Sequence, residues 1–153
     1  MLRRSCAAGL VIVALAGPAG AQGDAATLKA QEAAVALVRG DAQQALSLYT
    51  EALKDQSLTG DRRAHLLNDR GVVHSRLAQP RHAIDDFNRA VQLSPETASI
   101  YNNRGNVLLA LGLHREAVKD FDRAIVLAPG YAAAYNNRAG AYMKLDQIAE
   151  AIG

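Results

Sequence analysis

Tyr101-Asn-Asn-Arg-Gly105 returns as Tyr135-Asn-Asn-Arg-Ala139, an interval of 34, and Leu67-Asn-Asp-Arg-Gly71 stands one such interval before it. A second signature follows each opening: Ala83-Ile-Asp-Asp-Phe87, then Ala117-Val-Lys-Asp-Phe121, then Ala151-Ile152. Pro95 and Pro129 close two of the units, again 34 apart. A fixed period of this length signals stacked supersecondary units, none of which buries its apolar face alone. Such arrays recognise partners along an extended surface, so the expected activity is binding rather than chemistry.

Around these signatures the text from Ala26 onward is Ala-rich and helix-forming, without the strict alternation of strands. Breaks fall at Gly40-Asp41, Thr59-Gly60-Asp61, Gln79-Pro80, Ser94-Pro95, Gly112 and Pro129-Gly130. Read as caps, helix-starting prolines and left-handed stops, they predict helices at about 26–38, 41–54, 61–77, 80–92, 96–111, 114–127, 131–145 and 147–152. These eight pair through turns of two to six residues, so neighbours run antiparallel. Asp41 is expected to cap its helix and Pro80 to start one where a missing N–H costs nothing. Ser94-Pro95-Glu96 reads as a capping hydroxyl, a first-turn proline and an acid favoured by the helix dipole.

On these motifs the chain resembles the tetratricopeptide repeat family, whose unit is a 34-residue helix–turn–helix. The resemblance covers about residues 26–153, with units at about 26–59, 64–97, 98–131 and a shortened 132–153. It implies an all-α fold: a right-handed superhelical solenoid of antiparallel helix pairs, about three and a half repeats long. Gly71, Gly105 and Ala139 are expected where paired helices approach closely. Ala83, Ala90, Ala117, Ala124 and Ala151 supply the small surfaces opposite, and Phe87, Phe121, Tyr101 and Tyr135 fill the gaps between units. His74 and Leu108 stand where the family usually has Tyr, and Tyr142 restores it. The first unit lacks the closing Pro and is followed by four extra residues, since Ala45 to Ala83 is 38.

Two polar series follow the same period. Arg70, Arg104 and Arg138 replace a hydrophobic residue usual in the family, and Asp86 and Asp120 stand before the Phe of the partner helix. An intra-hairpin ion pair is the expected reading, with an anion-binding ladder as the alternative. Asn68-Asp69, Asn102-Asn103 and Asn136-Asn137 recur on the first helix of each pair, which in this family lines the concave groove. Asn103 and Asn137 match the Asn that in some members hydrogen-bonds an extended peptide, and Asn106 lies one turn further along. An amide both donates and accepts, as a peptide backbone requires. The other reading of the series is repeat consensus, with the amides bonding within the array. A clamp for a C-terminal carboxylate would want Lys where Ser99 and Ala133 stand.

The amino-terminal segment reads differently. Met1-Leu-Arg-Arg4 is a basic start, Cys6 to Ala16 an uncharged apolar run, and Ala19-Gly20-Ala21 a small-residue cleavage pattern. This order predicts a secretory signal peptide over 1–21, a short leader at 22–25, and a secreted or periplasmic protein. The run is about half the ~20 residues that span a bilayer, so no stable membrane anchor is expected after cleavage. Cys6, the single cysteine, lies within the segment, and no cysteine stands at the cleavage point for a lipid anchor. Without Arg3 and Arg4 the balance is 15 basic to 15 acidic residues, against a nucleic-acid partner that needs a basic stripe.

No nucleotide-binding loop, nucleophile elbow or His-Glu-x-x-His pattern occurs, and His65, His74, His82 and His114 are never three or four apart. Asp85-Asp86 diverge by about 100° around their helix and do not form paired acids. The chain is therefore read as a non-enzymatic scaffold without metal or cofactor, its partner a protein or peptide. Self-association through the C-terminal end is the alternative.

Overall fold

The computed structural model describes residues 19–152, with side-chain surroundings from 25 to 146. Nearly all of the expected signal peptide, Cys6 included, lies outside the described residues. Those described form seven helices: α1 (Ala19–Val38), α2 (Ala42–Ala52), α3 (Gly60–Arg76), α4 (Pro80–Leu93), α5 (Ala98–Ala110), α6 (His114–Leu127) and α7 (Ala132–Ile152). Odd-numbered helices pack against the even-numbered helix that follows, and each even helix against the next odd one. The result is an all-α solenoid of antiparallel pairs.

One local device repeats at the turn inside each pair. Gly40, Ala78 and Gly112 all have positive φ, at 86°, 54° and 78°. At each, the N–H of the next residue reaches back to the carbonyl five positions earlier: Asp41 to Ala36, Gln79 to His74 and Leu113 to Leu108, all 2.9 Å. The left-handed residue's own N–H bonds the carbonyl three back, at 3.1–3.2 Å. This Schellman closure satisfies carbonyls that a helix end otherwise leaves bare. The register then places Asp146, one repeat after Gly112, at the fourth turn. No turn forms there, and the backbone continues as helix through Asp146. The helix expected over 147–152 is thus the tail of α7, a correction to the eight-helix reading.

Two further boundaries differ. α1 begins at Ala19 rather than about 26, so residues 22–25, expected as a leader, carry helical backbone. Ser94-Pro95-Glu96 does not open α5, which starts at Ala98. The Ser94 N–H bonds Ala90 O, Thr97 N–H bonds Ser94 O, and the Ser94 and Thr97 hydroxyls meet at 2.9 Å. The triplet is a turn between units, fastened by Tyr101, whose hydroxyl donates to Pro95 O at 3.0 Å. Asp41 and Pro80 behave as expected: Asp41 accepts from Gln44 N–H at 2.9 Å, and Pro80 stands in the first turn of α4.

The core explains the glycines. Phe87 and Phe121 are fully buried. A Cβ on Gly71 would lie 2.8 Å from the Phe87 ring, and one on Gly105 2.6 Å from the Phe121 ring. Phe87 packs with Ala64, Leu67, Ala83 and Ala90 of its own unit and with Ile100 and Val107 of the next. Tyr101 packs with Ala124 and Ala134, joining α5, α6 and α7. Tyr135 departs from its expected gap-filling role, since it is 40% exposed. Ala139 is likewise exposed.

Successive odd helices, α3 with α5 and α5 with α7, also pack against one another, whereas no comparable packing joins the even helices α2, α4 and α6. The odd side is the tighter one, so the array curves toward it. That side is the concave face.

Candidate partner-binding face

The repeat register puts Asp69, Asn103 and Asn137 at one position of α3, α5 and α7, on the concave side. Asn103 donates from Nδ2 to Asn68 Oδ1, and Asn137 from Nδ2 to Asn102 Oδ1, both at 3.0 Å. Asn68 in turn donates from Nδ2 to Asp69 Oδ1 at 3.2 Å. The expected residues therefore divide by role. Asn68 and Asn102 are buried between repeats, where an unpaired amide would be costly. Asn103 and Asn137 are half-buried and use one N–H each on this ladder, which leaves a second N–H and a carbonyl of each amide outside it. Asn106 and Asn136 are exposed. The amides tie successive repeats together, as the intra-array reading of the series expects.

A shallow depression of about 140 Å³ opens beside the ladder, lined by Val72, Ser75 and Arg76 of α3 and by Asn103, Asn106 and Val107 of α5, with Phe87 as floor. It combines an apolar base with amide and guanidinium groups at the rim, a mixture suited to one side chain of a bound segment.

Asp69 differs chemically from its counterparts. Its partly buried carboxylate receives one amide N–H and has no cation within ion-pair distance among the described residues. Burial pushes its pKa above the ordinary carboxylate value, offset in part by the Asn68 hydrogen bond and by His65. Its charge also contributes, after burial itself, to raising the Tyr49 phenol to about 12.

The arginine series is settled by geometry. Arg70 and Arg104 each grip the expected aspartate with two bonds, from Nε and Nη2 to the two carboxylate oxygens, all 2.7 Å. The Asp120 hydrogen bonds hold the Arg104 guanidinium above its ordinary pKa. The remaining Nη1 reaches the even helix of the preceding unit: Arg70 to Thr50, Arg104 to Asn88, Arg138 to Asp122. Residues Thr50, Asn88 and Asp122 were not read as part of the series, although they share its register once the four-residue insertion is allowed for. Arg70 and Arg104 are thus cross-links between units rather than spare cations, while Arg138 makes the single bond to Asp122.

The structure also joins two histidines that the sequence separates. The His74 and His82 rings stack at 5.2 Å, and His74 Nδ1 meets Gln79 Oε1 at 2.7 Å. Among the described residues no group of three or more His, Cys, Asp or Glu is placed to hold a metal ion. No described helix is long and apolar enough to cross a membrane.

Comparison with known proteins agrees with this architecture. Residues 98–131 match the tetratricopeptide repeat model, and residues 82–112 match a second TPR repeat model. The chain is similar in structure to the first TPR of Spaghetti (RPAP3) bound to the HSP90 peptide SRMEEVD. The TM-score is 0.75 at 24% identity, over 81% of this chain and 95% of that one. The Arabidopsis OM64 TPR domain gives 0.74 at 22% identity, over 80% and 98%. MamA gives 0.72 at 20% identity, over 87% and 70%. At these identities the likeness establishes the fold.

Proposed function

We propose that this chain is an exported, non-catalytic interaction module that holds an extended peptide or protein segment along its concave face. The observation that carries the reading is the polar series Asp69, Asn103 and Asn137 on α3, α5 and α7, which keeps acceptors, and on α5 and α7 donors, at the repeat spacing after its structural bonds are made. An extended segment advances about 3.3 Å per residue, so three residues cover about the 10 Å between neighbouring helix pairs. Capture of backbone groups at that interval gives affinity with little sequence preference, and the depression at Asn106 adds some. That a similar TPR structure holds an HSP90 peptide supports the class of partner. The same C-terminal carboxylate chemistry is not proposed here, because Ser99 and Ala133 stand where such a clamp would want Lys.

The test uses peptides selected on the protein from a displayed library. Asn106→Ala, which removes an exposed amide and no recorded internal bond, should weaken a selected peptide by about 1 kcal/mol in calorimetry. An equal effect from Lys119→Ala, on the even-helix side, would remove the concave reading. Export rests on Arg3-Arg4, the apolar run and Ala19-Gly20-Ala21. Mass spectrometry of protein made in an exporting bacterial host should find a chain beginning at Gln22, and intact Met1 in the soluble fraction would refute it.

A second reading is assembly of copies, favoured by Tyr135, Tyr142 and Met143, which are 40%, 46% and 61% exposed on α7. Sedimentation should then show a mass that rises with concentration and falls on Tyr142→Ser.

A further inference from the structure

The four-residue insertion after α2 changes the groove at one end. α1 and α3 pack together less closely than α3 with α5 or α5 with α7. Between them lies a hollow of about 220 Å³, lined by Ala26, Thr27, Ala30, Leu58 and Leu66, with Arg62 and His65 at its edge. Its walls are mainly apolar, and the small side chains of α1 leave it open. Asp69 follows Leu66 by three residues and Arg62 by seven on α3. At 1.5 Å per residue, the backbone of Asp69 stands about 5 Å beyond that of Leu66 along the helix axis, and about 10 Å beyond that of Arg62.

We propose that this end of the groove takes a lysine or arginine side chain of the bound segment, its aliphatic stem over the hollow and its charged tip on Asp69. The inference rests on the concave-face reading and adds the partner's chemistry to it. Charge complementarity selects the occupant. The Asp69 carboxylate accepts only the Asn68 amide, while the acids buried beside the arginines are already paired. Where the next two repeats present neutral Asn103 and Asn137, this one presents a carboxylate, so the groove is polar along its length and anionic at this position. A long cationic side chain suits both surfaces, since Lys and Arg lay their methylenes on apolar walls and keep the charge at the rim. An aliphatic guest would fill the hollow and leave the carboxylate without a counter-ion. An acidic guest would be repelled by it. Burial already disfavours the Asp69 charge, as its upward pKa displacement shows, and a guest cation relieves that.

The experiment selects peptides from an unbiased displayed library in parallel on the whole chain and on Asp69→Asn, with melting curves confirming that both are folded. Asn is the residue the adjacent repeats carry at this place, so the change removes charge and little else. Peptides selected on the unaltered chain should be enriched in Lys or Arg at one position. Replacing that residue by norleucine, or using the Asp69→Asn chain, should weaken binding about tenfold. The loss should shrink as salt is raised. Peptides that bind without a basic residue, or that bind both chains equally, would overturn the lysine/arginine proposal and leave the groove reading in place. Failure to select any peptide on either chain would overturn both.

Discussion

Ala78 shows what a single residue costs the array. It occupies the left-handed turn position that Gly40 and Gly112 hold elsewhere, with φ at 54°. That conformation costs an L-residue roughly 1–2 kcal/mol, and glycine returns about half of the gain through its freer unfolded chain. Ala78→Gly should therefore stabilise by about 0.5–1 kcal/mol in urea unfolding, and a loss would contradict the assigned turn. The opposite change at Gly105 should hurt. A methyl there meets the buried Phe121 ring at 2.6 Å, and overpacking of about 1–3 kcal/mol outweighs the roughly 1 kcal/mol gained in helix propensity. Gly105→Ala should lower the melting temperature. Asp69 carries a pH signature. Its folded pKa is raised above the ordinary 3.8, so the stability it contributes is present below the unfolded pKa and lost as pH rises through the folded one. Asp69→Asn should accordingly be at least as stable as the parent at neutral pH. That advantage should fade on acidification, which paired melts at the two pH values measure.

The helix pair is the unit in which most of the energetics can be read. Arg104 and Asp120 join α5 to α6 while Arg104 also reaches Asn88 on α4, so Arg104, like Arg70, staples three helices. A double-mutant cycle of Arg104→Ala and Asp120→Ala should show coupling of roughly 1–3 kcal/mol, because each single change strands a partly desolvated partner. Strict additivity would remove the cross-link. Phe121 acts at the same scale. It fills the space against Gly105 and packs with Ala117, Val118 and Ala141, so Phe121→Ala should cost about 3–5 kcal/mol. Because repeats couple chiefly to neighbours, hydrogen exchange should accelerate in α5–α7 while α1 and α2 keep most of their protection.

Across the whole molecule, what was legible in the sequence was whatever the period repeats. Helix pairing, the close approach at Gly71 and Gly105 and the Arg–Asp grip all recur with the repeat, and so they declared themselves, whereas the ring that fills each glycine's space, Phe87 or Phe121, was expected between units. The hidden features depend on a place where the period is broken or on contacts across it. α7 runs on through Asp146, where periodicity alone predicted a turn. The Asn68–Asn103 and Asn102–Asn137 bonds join residues 35 apart, one step off the repeat, so a position-by-position alignment does not pair them. The hollow beside α1 follows from an insertion whose spatial effect no local pattern encodes.

The central claim is that partners lie along the odd-helix side. Backbone amide shifts recorded while a library-selected peptide is titrated into labelled protein test this directly, without any mutation that could disturb the fold. The account predicts a contiguous set of perturbed signals at Asp69, Val72, Asn103, Asn106 and Asn137, with Asp85, Arg89, Lys119 and Arg123 on the even helices unmoved. Perturbation centred on those even-helix residues, with the amide series silent, would contradict it.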